Sequence, residues 1–171
     1  MTHSKESTSD RQGAAIRIRQ ATINDVNAIV EFNAALARET EGKQLDPSRL
    51  HQGVRAVLGH PEHGFYLIAD EVSSGKAIGQ LLITYEWSDW RNGVFWWLQS
   101  VYVHEAWRRR GVFRRLLRVV MEEARKRKTV AGVRLYVEEE NRLAQQVYQE
   151  LGLCRAGYQV YELDFVLPRQ S

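Results

Sequence analysis

The chain has 171 residues, of which 44% are hydrophobic and 26% charged, with a formal net charge of +3. This composition is typical of a globular domain, and so small a basic excess does not by itself indicate nucleic-acid binding. No stretch reaches the roughly 20 apolar residues that span a bilayer, so we expect no membrane contact. The single Cys154 excludes an internal disulfide and favours a cytoplasmic location. The polar residues 1–14 predict a disordered tail, and residues 15–171 a single domain.

The first half of the chain predicts one short strand and two helices. Ile16 and Ile18 alternate with arginines, as in a half-buried strand. Thr22 and Asp25 resemble a capping box, with Asp in place of the usual Glu or Gln. Asp46-Pro47 is a good start for a second helix, because Pro suits the first helical position.

The second half predicts a mixed sheet. Apolar runs at 65–72, 77–87 and 94–103 are separated by short polar turns, which indicates three consecutive antiparallel strands. The remaining elements are a helix from about Gly111 to Arg127, a strand at 133–137, a helix at 141–151 and a closing strand from Tyr158 to Phe165. The order β-α-α-β-β-β-α-β-α-β predicts an α/β (α+β) fold, with a mostly antiparallel sheet flanked by helices.

A basic turn lies between the strand that ends at Val103 and the helix that follows. Residues 107–128 contain ten Arg or Lys and two Glu, and Arg108-Arg109-Arg110-Gly111 opens the helix. A helix start after a turn brings several backbone N–H groups and a partial positive charge to one point, which suits a phosphate. The competing interpretation is a solvated basic helix start. The pattern is not a Walker A loop, because no Gly-Lys-Ser/Thr is present.

The helix behind the turn is amphipathic. At about 100° per residue, Val112, Phe113 and Leu116 share an apolar arc, whereas Arg114 and Arg118 lie on the other side. We therefore expect the outer arginines to be mostly surface residues. Phe113 should face the sheet and leave the backbone of the turn accessible.

A second constellation runs from Asn141 to Gly152. Leu143, Ala144, Val147, Tyr148 and Leu151 share one face of the predicted helix, and Gly152 can end it. On spacing alone, a tyrosine such as Tyr148 is usually a core residue with a satisfied hydroxyl.

Together the two constellations resemble the GNAT acetyltransferase superfamily. The resemblance is carried by Arg-x-x-Gly-x-Phe at 108–113 after Val101-Tyr102-Val103, and by Asn-x-x-Ala-x-x-x-Tyr-x-x-Leu-Gly at 141–152, and it covers about residues 15–166. Glu39-Thr40-Glu41 and Ser88 to Asn92 resemble a group of small GNAT proteins in particular. Phe113 departs from the family pattern, which has Gly or Ala at that position.

The resemblance implies that acetyl-CoA is the acyl donor and that no metal takes part. It implies that Val101 and Val103 pair with the pantetheine arm, that the turn amides hold the pyrophosphate, that Asn141 contacts the cofactor and that Tyr148 is the general acid. The implied cofactor site comprises Val101, Tyr102, Val103, Arg108, Arg109, Arg110, Gly111, Val112, Phe113, Arg114 and Asn141.

On the acceptor side, the reaction needs a base or a water chain. Transfer to an amine requires removal of a proton, and the central strand Trp96 to Ser100 carries no carboxylate. The nearest candidate bases are Glu86, Asp89, Glu39 and Glu41. We predict Glu86, although a surface carboxylate at a strand end is the simpler interpretation. Glu39, Glu41 and Trp97 are predicted to contact the acceptor, a small-molecule or protein amine.

Two other functions stay open. A GNAT-fold domain could bind acyl-CoA as a regulator without turnover, and the arginines at 108–118 could bind RNA. We expect no nucleic acid, because the aromatic residues that stack bases are not interleaved with the arginines. A homodimer is compatible with the sequence.

Overall fold

The computed structural model describes residues 15–167, which fall into two compact units divided between Tyr136 and Val137. The N-terminal tail predicted for residues 1–14 lies outside this range. The elements of the first unit are β1 (Ile16–Gln20), α1 (Val26–Glu41), α2 (Pro47–Gly59), β2 (Phe65–Glu71), β3 (Ala77–Ser88), β4 (Gly93–Val103), α3 (Val112–Lys126) and β5 (Val130–Leu135). The second unit contains α4 (Arg142–Glu150).

Both predicted helix starts are confirmed. A carboxylate oxygen of Asp25 accepts a hydrogen bond from the Thr22 N–H at 2.7 Å, within a 3-10 turn that leads into α1. Asp46 caps α2, where its Oδ1 accepts from the Arg49 N–H at 2.7 Å and Pro47 occupies the first helical position. A helix begins at each point because a short acidic side chain satisfies amides that lack an intrahelical acceptor.

The sheet has five strands in the order β1-β2-β3-β4-β5. The first four pair antiparallel, and β5 pairs with β4 in parallel after the α3 crossover. The predicted mixed, mostly antiparallel fold class is therefore confirmed, and so is the element order from β1 to α4.

The alternation along β3 separates the two faces of the sheet. Gln80 and Leu82 point to the face covered by α1 and α2, where Leu82 joins an apolar cluster. The other members of that cluster are Val26, Ile29, Val54, Tyr66 and Ile68. Gly79 points to the opposite face, where a Cβ would lie 3.4 Å from the Val112 side chain of α3.

Helix α3 has the predicted amphipathic arrangement. Its buried stripe consists of Val112, Leu116, Leu117, Val120, Met121 and Ala124. Arg114 and Arg118 are exposed, and Phe113 is half-buried beside the stripe. Burial of this stripe against the sheet fixes the position of the helix start and of the turn before it.

The predicted closing strand from Tyr158 to Phe165 is wrong. That segment has no regular secondary structure, and Tyr158, Tyr161 and Phe165 are 84%, 90% and 89% exposed. Alternating apolar residues are compatible with a strand, but a strand forms only where a neighbour pairs with its backbone. The pattern alone could not show whether such a neighbour is present.

Candidate functional site

The basic turn places two left-handed residues just before α3. Arg109 has φ 62° and Gly111, the N-cap of α3, has φ 78°. The first intrahelical hydrogen bond runs from the Arg115 N–H to the Gly111 carbonyl. Left-handed residues beside helical ones turn successive N–H groups toward one side, and this concavity favours anions. The helix dipole adds to that preference.

Two arginine side chains of the turn are engaged within the protein. Arg108 donates to the Val103 carbonyl at 3.0 Å and to Glu39 at 2.5 Å, and its guanidinium lies over the Tyr102 ring. The Arg110 guanidinium lies over the Trp107 ring, 5.1 Å from its centroid. These contacts favour an anion site in which backbone amides contribute most and the side chains are secondary.

Glu39 therefore lies beside the predicted cofactor turn. Its carboxylate accepts from Arg108 and, at 2.8 Å, from the Tyr102 hydroxyl. The Arg108 guanidinium and the Tyr102 hydroxyl together hold the pKa of Glu39 below its usual range. Predicted to contact the acceptor, Glu39 in the structure joins the end of α1 to the end of β4. Glu41 pairs with Lys43 at 2.5 Å in an exposed position.

Strand β4 changes its pairing halfway along. Within the described part of the chain, β5 pairs with Val94–Leu98, whereas Gln99–Val103 continues beyond that pairing toward the basic turn. The change coincides with a bulge in which Ser100 has φ 47°. A backbone edge that has lost its neighbouring strand can pair with an extended ligand. Val101 and Val103, the residues predicted to bind the pantetheine arm, lie in this stretch.

The predicted base belongs to a cluster on the α1 face of the sheet. Glu86 accepts from the Trp97 indole N–H and, at 2.6 Å, from Arg134. These two donors lower the pKa of Glu86, the Trp97 hydrogen bond contributing most. The Trp97 and Tyr136 rings are 4.4 Å apart, and Arg134 also lies over Phe95.

The sequence did not single out four residues of this region. Arg134 lies on β5 and Tyr136 directly follows it, and the spacing of the two residues does not reveal Glu86 and Trp97 as neighbours. Asn33 and Gln80 form a buried pair between α1 and β3. The sequence gives no sign of this pair, because the hydrogen bond joins residues that are 47 apart in the chain.

The comparisons with known proteins point in one direction. The model of the acetyltransferase (GNAT) family matches residues 28–153, which include the basic turn and α4. A crystal structure of a possible acetyltransferase from Clostridium difficile 630 is 41% identical, covers 89% of this chain and 99% of its own, and superposes with a TM-score of 0.80. This chain belongs to the GNAT acetyltransferase family. Comparison with curated proteins finds no match.

More distant GNAT-like structures share the fold. A predicted acetyltransferase with acetyl-CoA from Clostridium acetobutylicum is 18% identical, with a TM-score of 0.70, and covers 88% of this chain and 96% of its own. Glucosamine-6-phosphate N-acetyltransferase from Arabidopsis thaliana is 17% identical, with a TM-score of 0.68, and covers 87% of this chain and 98% of its own. GNAT acetyltransferases use acetyl-CoA, so acetyl-CoA-dependent acetylation is the general activity of the family to which the chain belongs.

The second unit carries the remaining predicted GNAT site residues. Asn141 caps α4, where its Oδ1 accepts from the Ala144 N–H at 3.1 Å. Burial raises the pKa of Tyr148 to about 12. The phenol therefore stays protonated at neutral pH, which a general acid requires.

Two further observations concern metal binding and membrane spans in the described part of this GNAT domain. Residues 15–167 contain no cluster of three His, Cys, Asp or Glu side chains that could hold a metal ion. Across the same range, no helix combines the length and apolar character needed to cross a membrane.

Proposed function

We propose that this GNAT protein transfers the acetyl group of acetyl-CoA to a primary amine of a small molecule or protein. The observation that carries the proposal is the turn before α3, where left-handed Arg109 and Gly111 precede the first amides of a helix. That arrangement suits the pyrophosphate of CoA. The β4 stretch Gln99–Val103 leads from the bulge to the turn, as an extended pantetheine arm would require.

The proposed reaction is direct transfer. The neutral amine nitrogen attacks the thioester carbon, the tetrahedral intermediate collapses, and the C–S bond breaks. The thiolate takes the phenolic proton of Tyr148, and the nitrogen loses its extra proton to a base or to solvent. Burial raises the pKa of Tyr148 to about 12, so the phenol carries its proton at the pH of reaction and has it available for the leaving thiolate.

The proposed reaction also removes a proton from the amine. Glu86 stays the predicted base, but Trp97 and Arg134 stabilise its ionised form and so weaken it as a proton acceptor. We therefore expect the amine to react mainly from its own neutral fraction. Turnover should then rise with pH toward the pKa of the amine, which a pH series with two amines of different pKa would show.

The acceptor is proposed to approach the face that carries Trp97, Glu86 and Tyr136. Trp97 and Tyr136 offer aromatic surface to a cationic or apolar amine. Glu41 forms its ion pair with Lys43 in an exposed position, so a cationic acceptor could displace Lys43 from the carboxylate. A cytoplasmic location and the amine character of the acceptor are parts of this proposal.

A panel of amines assayed by release of free thiol from acetyl-CoA tests the proposal. Catalysis predicts amine-dependent thiol release that falls strongly in Tyr148→Phe while acetyl-CoA binding is retained. The alternative, a regulator that binds acyl-CoA without turnover, predicts binding with no amine-dependent release from any member of the panel.

A further inference from the structure

A chain of buried polar groups links α1 to the bulge of β4. The Gln80 side chain is fully buried, and its Nε2 donates to Asn33 Oδ1 at 2.6 Å and to the Ser100 carbonyl at 3.3 Å. Asn33 is 8% exposed, and its Nδ2 donates to the Tyr66 hydroxyl at 3.3 Å. The Gln80 amide group therefore donates one hydrogen bond to a side chain of α1 and one to the backbone of β4.

A glutamine is a costly residue at this position. Among the described residues, Oε1 of Gln80 has no hydrogen-bond partner, although the surrounding core is apolar. A buried polar atom without a partner destabilises the fold, and an apolar side chain of similar size would avoid that penalty. Packing alone therefore does not account for an amide here. An apolar side chain would lose both donors, the one to Asn33 Oδ1 and the one to the Ser100 carbonyl, and only the second holds the backbone of β4.

That carbonyl belongs to the irregular part of β4. Ser100 has φ 47°, a left-handed conformation that non-glycine residues seldom adopt. The register between β3 and β4 shifts between Gln80 and Leu82, directly across from Ser100. The bulge also separates Val94–Leu98, which pairs with β5, from the stretch that runs to the basic turn.

The hydrogen bond from Gln80 orients one peptide plane. In a trans peptide, the carbonyl of one residue and the N–H of the next point in opposite directions, and the described residues contain no cis bond. Because the Ser100 carbonyl is directed toward the α1 face, the Val101 N–H is directed away from it. Val101 is the first of the two residues, Val101 and Val103, that are predicted to pair with the pantetheine arm.

We propose that Gln80, held by Asn33, is a positioning residue that fixes the Ser100–Val101 peptide so that the Val101 N–H can bind the acyl-CoA arm. This inference rests on the proposed function, because it names a device that orients the same site. Gln80 acts only through the backbone of β4 and touches no reacting atom. The device lies entirely within the first unit of the fold.

Gln80→Met tests the inference, because methionine retains the length of the side chain and removes its donors. We expect kcat to fall at least tenfold, while the Kd of CoA, measured by calorimetry, stays within about threefold. This separation is expected because the pyrophosphate binds at the distant turn. Val54→Ala is the matched control, since Val54 is 2% exposed and belongs to the apolar cluster under α1 and α2, and its side chain carries no hydrogen-bonding group. It should lower the melting temperature and leave kcat unchanged.

Asn33→Leu supplies a second variant that acts on the same chain. It removes the acceptor that orients Gln80, so kcat should fall in the same direction but by a smaller factor. In the double variant the two losses should not multiply, because both act through one hydrogen-bonded chain. Equal kcat in Gln80→Met and wild type, or a loss in Val54→Ala as large as in Gln80→Met, would overturn the inference.

Amide hydrogen exchange of the wild-type protein keeps the inference testable if Gln80→Met does not fold. Adding acetyl-CoA should slow exchange of the Val101 amide, and unchanged exchange would contradict the proposed contact. A wild-type protein that binds no acetyl-CoA would overturn the proposed function and this inference with it. Turnover by wild type with an unaffected Gln80→Met would overturn the inference alone.

Discussion

Gly111→Ala should weaken acetyl-CoA binding more than it destabilises the protein. Gly111 has φ 78°, and an added Cβ would have nothing within 4 Å, so the substitution meets no protein atom. The left-handed conformation costs an L-residue about 1–2 kcal/mol, partly offset by the lower entropy of the unfolded chain. A net loss of about 1 kcal/mol lowers the melting temperature of a protein of this size by about 2–4 °C.

The effect on binding has a separate cause. The open space beside Gly111 is the proposed position of the pyrophosphate, so the new methyl group would hold the phosphates away from the amides of the turn. We expect the Kd of acetyl-CoA to rise at least tenfold, which corresponds to about 1.4 kcal/mol. Calorimetric titration measures this directly. Arg110→Ala, which removes a side chain stacked on Trp107, should change Kd only a few-fold.

Gly75→Ala is the matched control for backbone strain. Gly75 lies in the β2–β3 turn with φ 68°, and its added Cβ would also meet nothing within 4 Å. It should produce a similar loss of stability with unchanged affinity for acetyl-CoA. Wild-type affinity in Gly111→Ala, or an equal loss of affinity in Gly75→Ala, would refute the assignment of the turn.

Three further predictions follow from the same structure. Arg19 lowers the pKa of Asp25 from 3.8 to about 2. The pair should therefore contribute about 2 kcal/mol of stability, which is fully present above about pH 5 and is lost as the pH falls through 2. In a series of denaturation curves at falling pH, Asp25→Asn should show a smaller loss of stability than wild type. Tyr148→Phe should lower kcat about 100-fold with little change in acetyl-CoA affinity, and because burial holds the pKa of Tyr148 near 12, a wild-type rate that falls with a pKa below 10 would argue against Tyr148 as the acid. Gly132→Ala should destabilise the protein by about 1–3 kcal/mol in urea, because the new Cβ would lie 2.6 Å from the Phe95 ring; unchanged stability would show that the ring moves freely.

Local features of the sequence predicted most of the fold. Asp25 forms the expected capping box with Thr22 ahead of α1, Asp46 caps α2, and the apolar stripe of α3 lies where its periodicity indicated. Each signal depends on residues within about one or two turns of each other. The prediction of a strand from Tyr158 to Phe165 was wrong because a strand depends on a pairing partner, which the residues of the segment do not specify.

The candidate site was only partly predictable for the same reason. The basic turn could be predicted from the succession of strand, turn and helix, and its positive charge from the number of arginines. The salt bridge between Arg108 and Glu39 could not be predicted, because the two residues are 69 apart in the sequence and meet only after α1 has packed against the sheet. The pairing of Glu86 with Arg134 likewise depends on the register of β3, β4 and β5. Charge composition indicated a basic region, but only the fold shows which of its charges are already neutralised.

A calorimetric comparison of acetyl-CoA with acetyl-pantetheine, which carries the same thioester arm without the pyrophosphate, tests the pyrophosphate site directly. If the turn at Arg109–Gly111 holds the pyrophosphate, acetyl-CoA should bind one molecule per chain and acetyl-pantetheine at least 100-fold more weakly, a difference of about 2.7 kcal/mol. Equal affinities for the two ligands, or no binding of acetyl-CoA, would contradict the account.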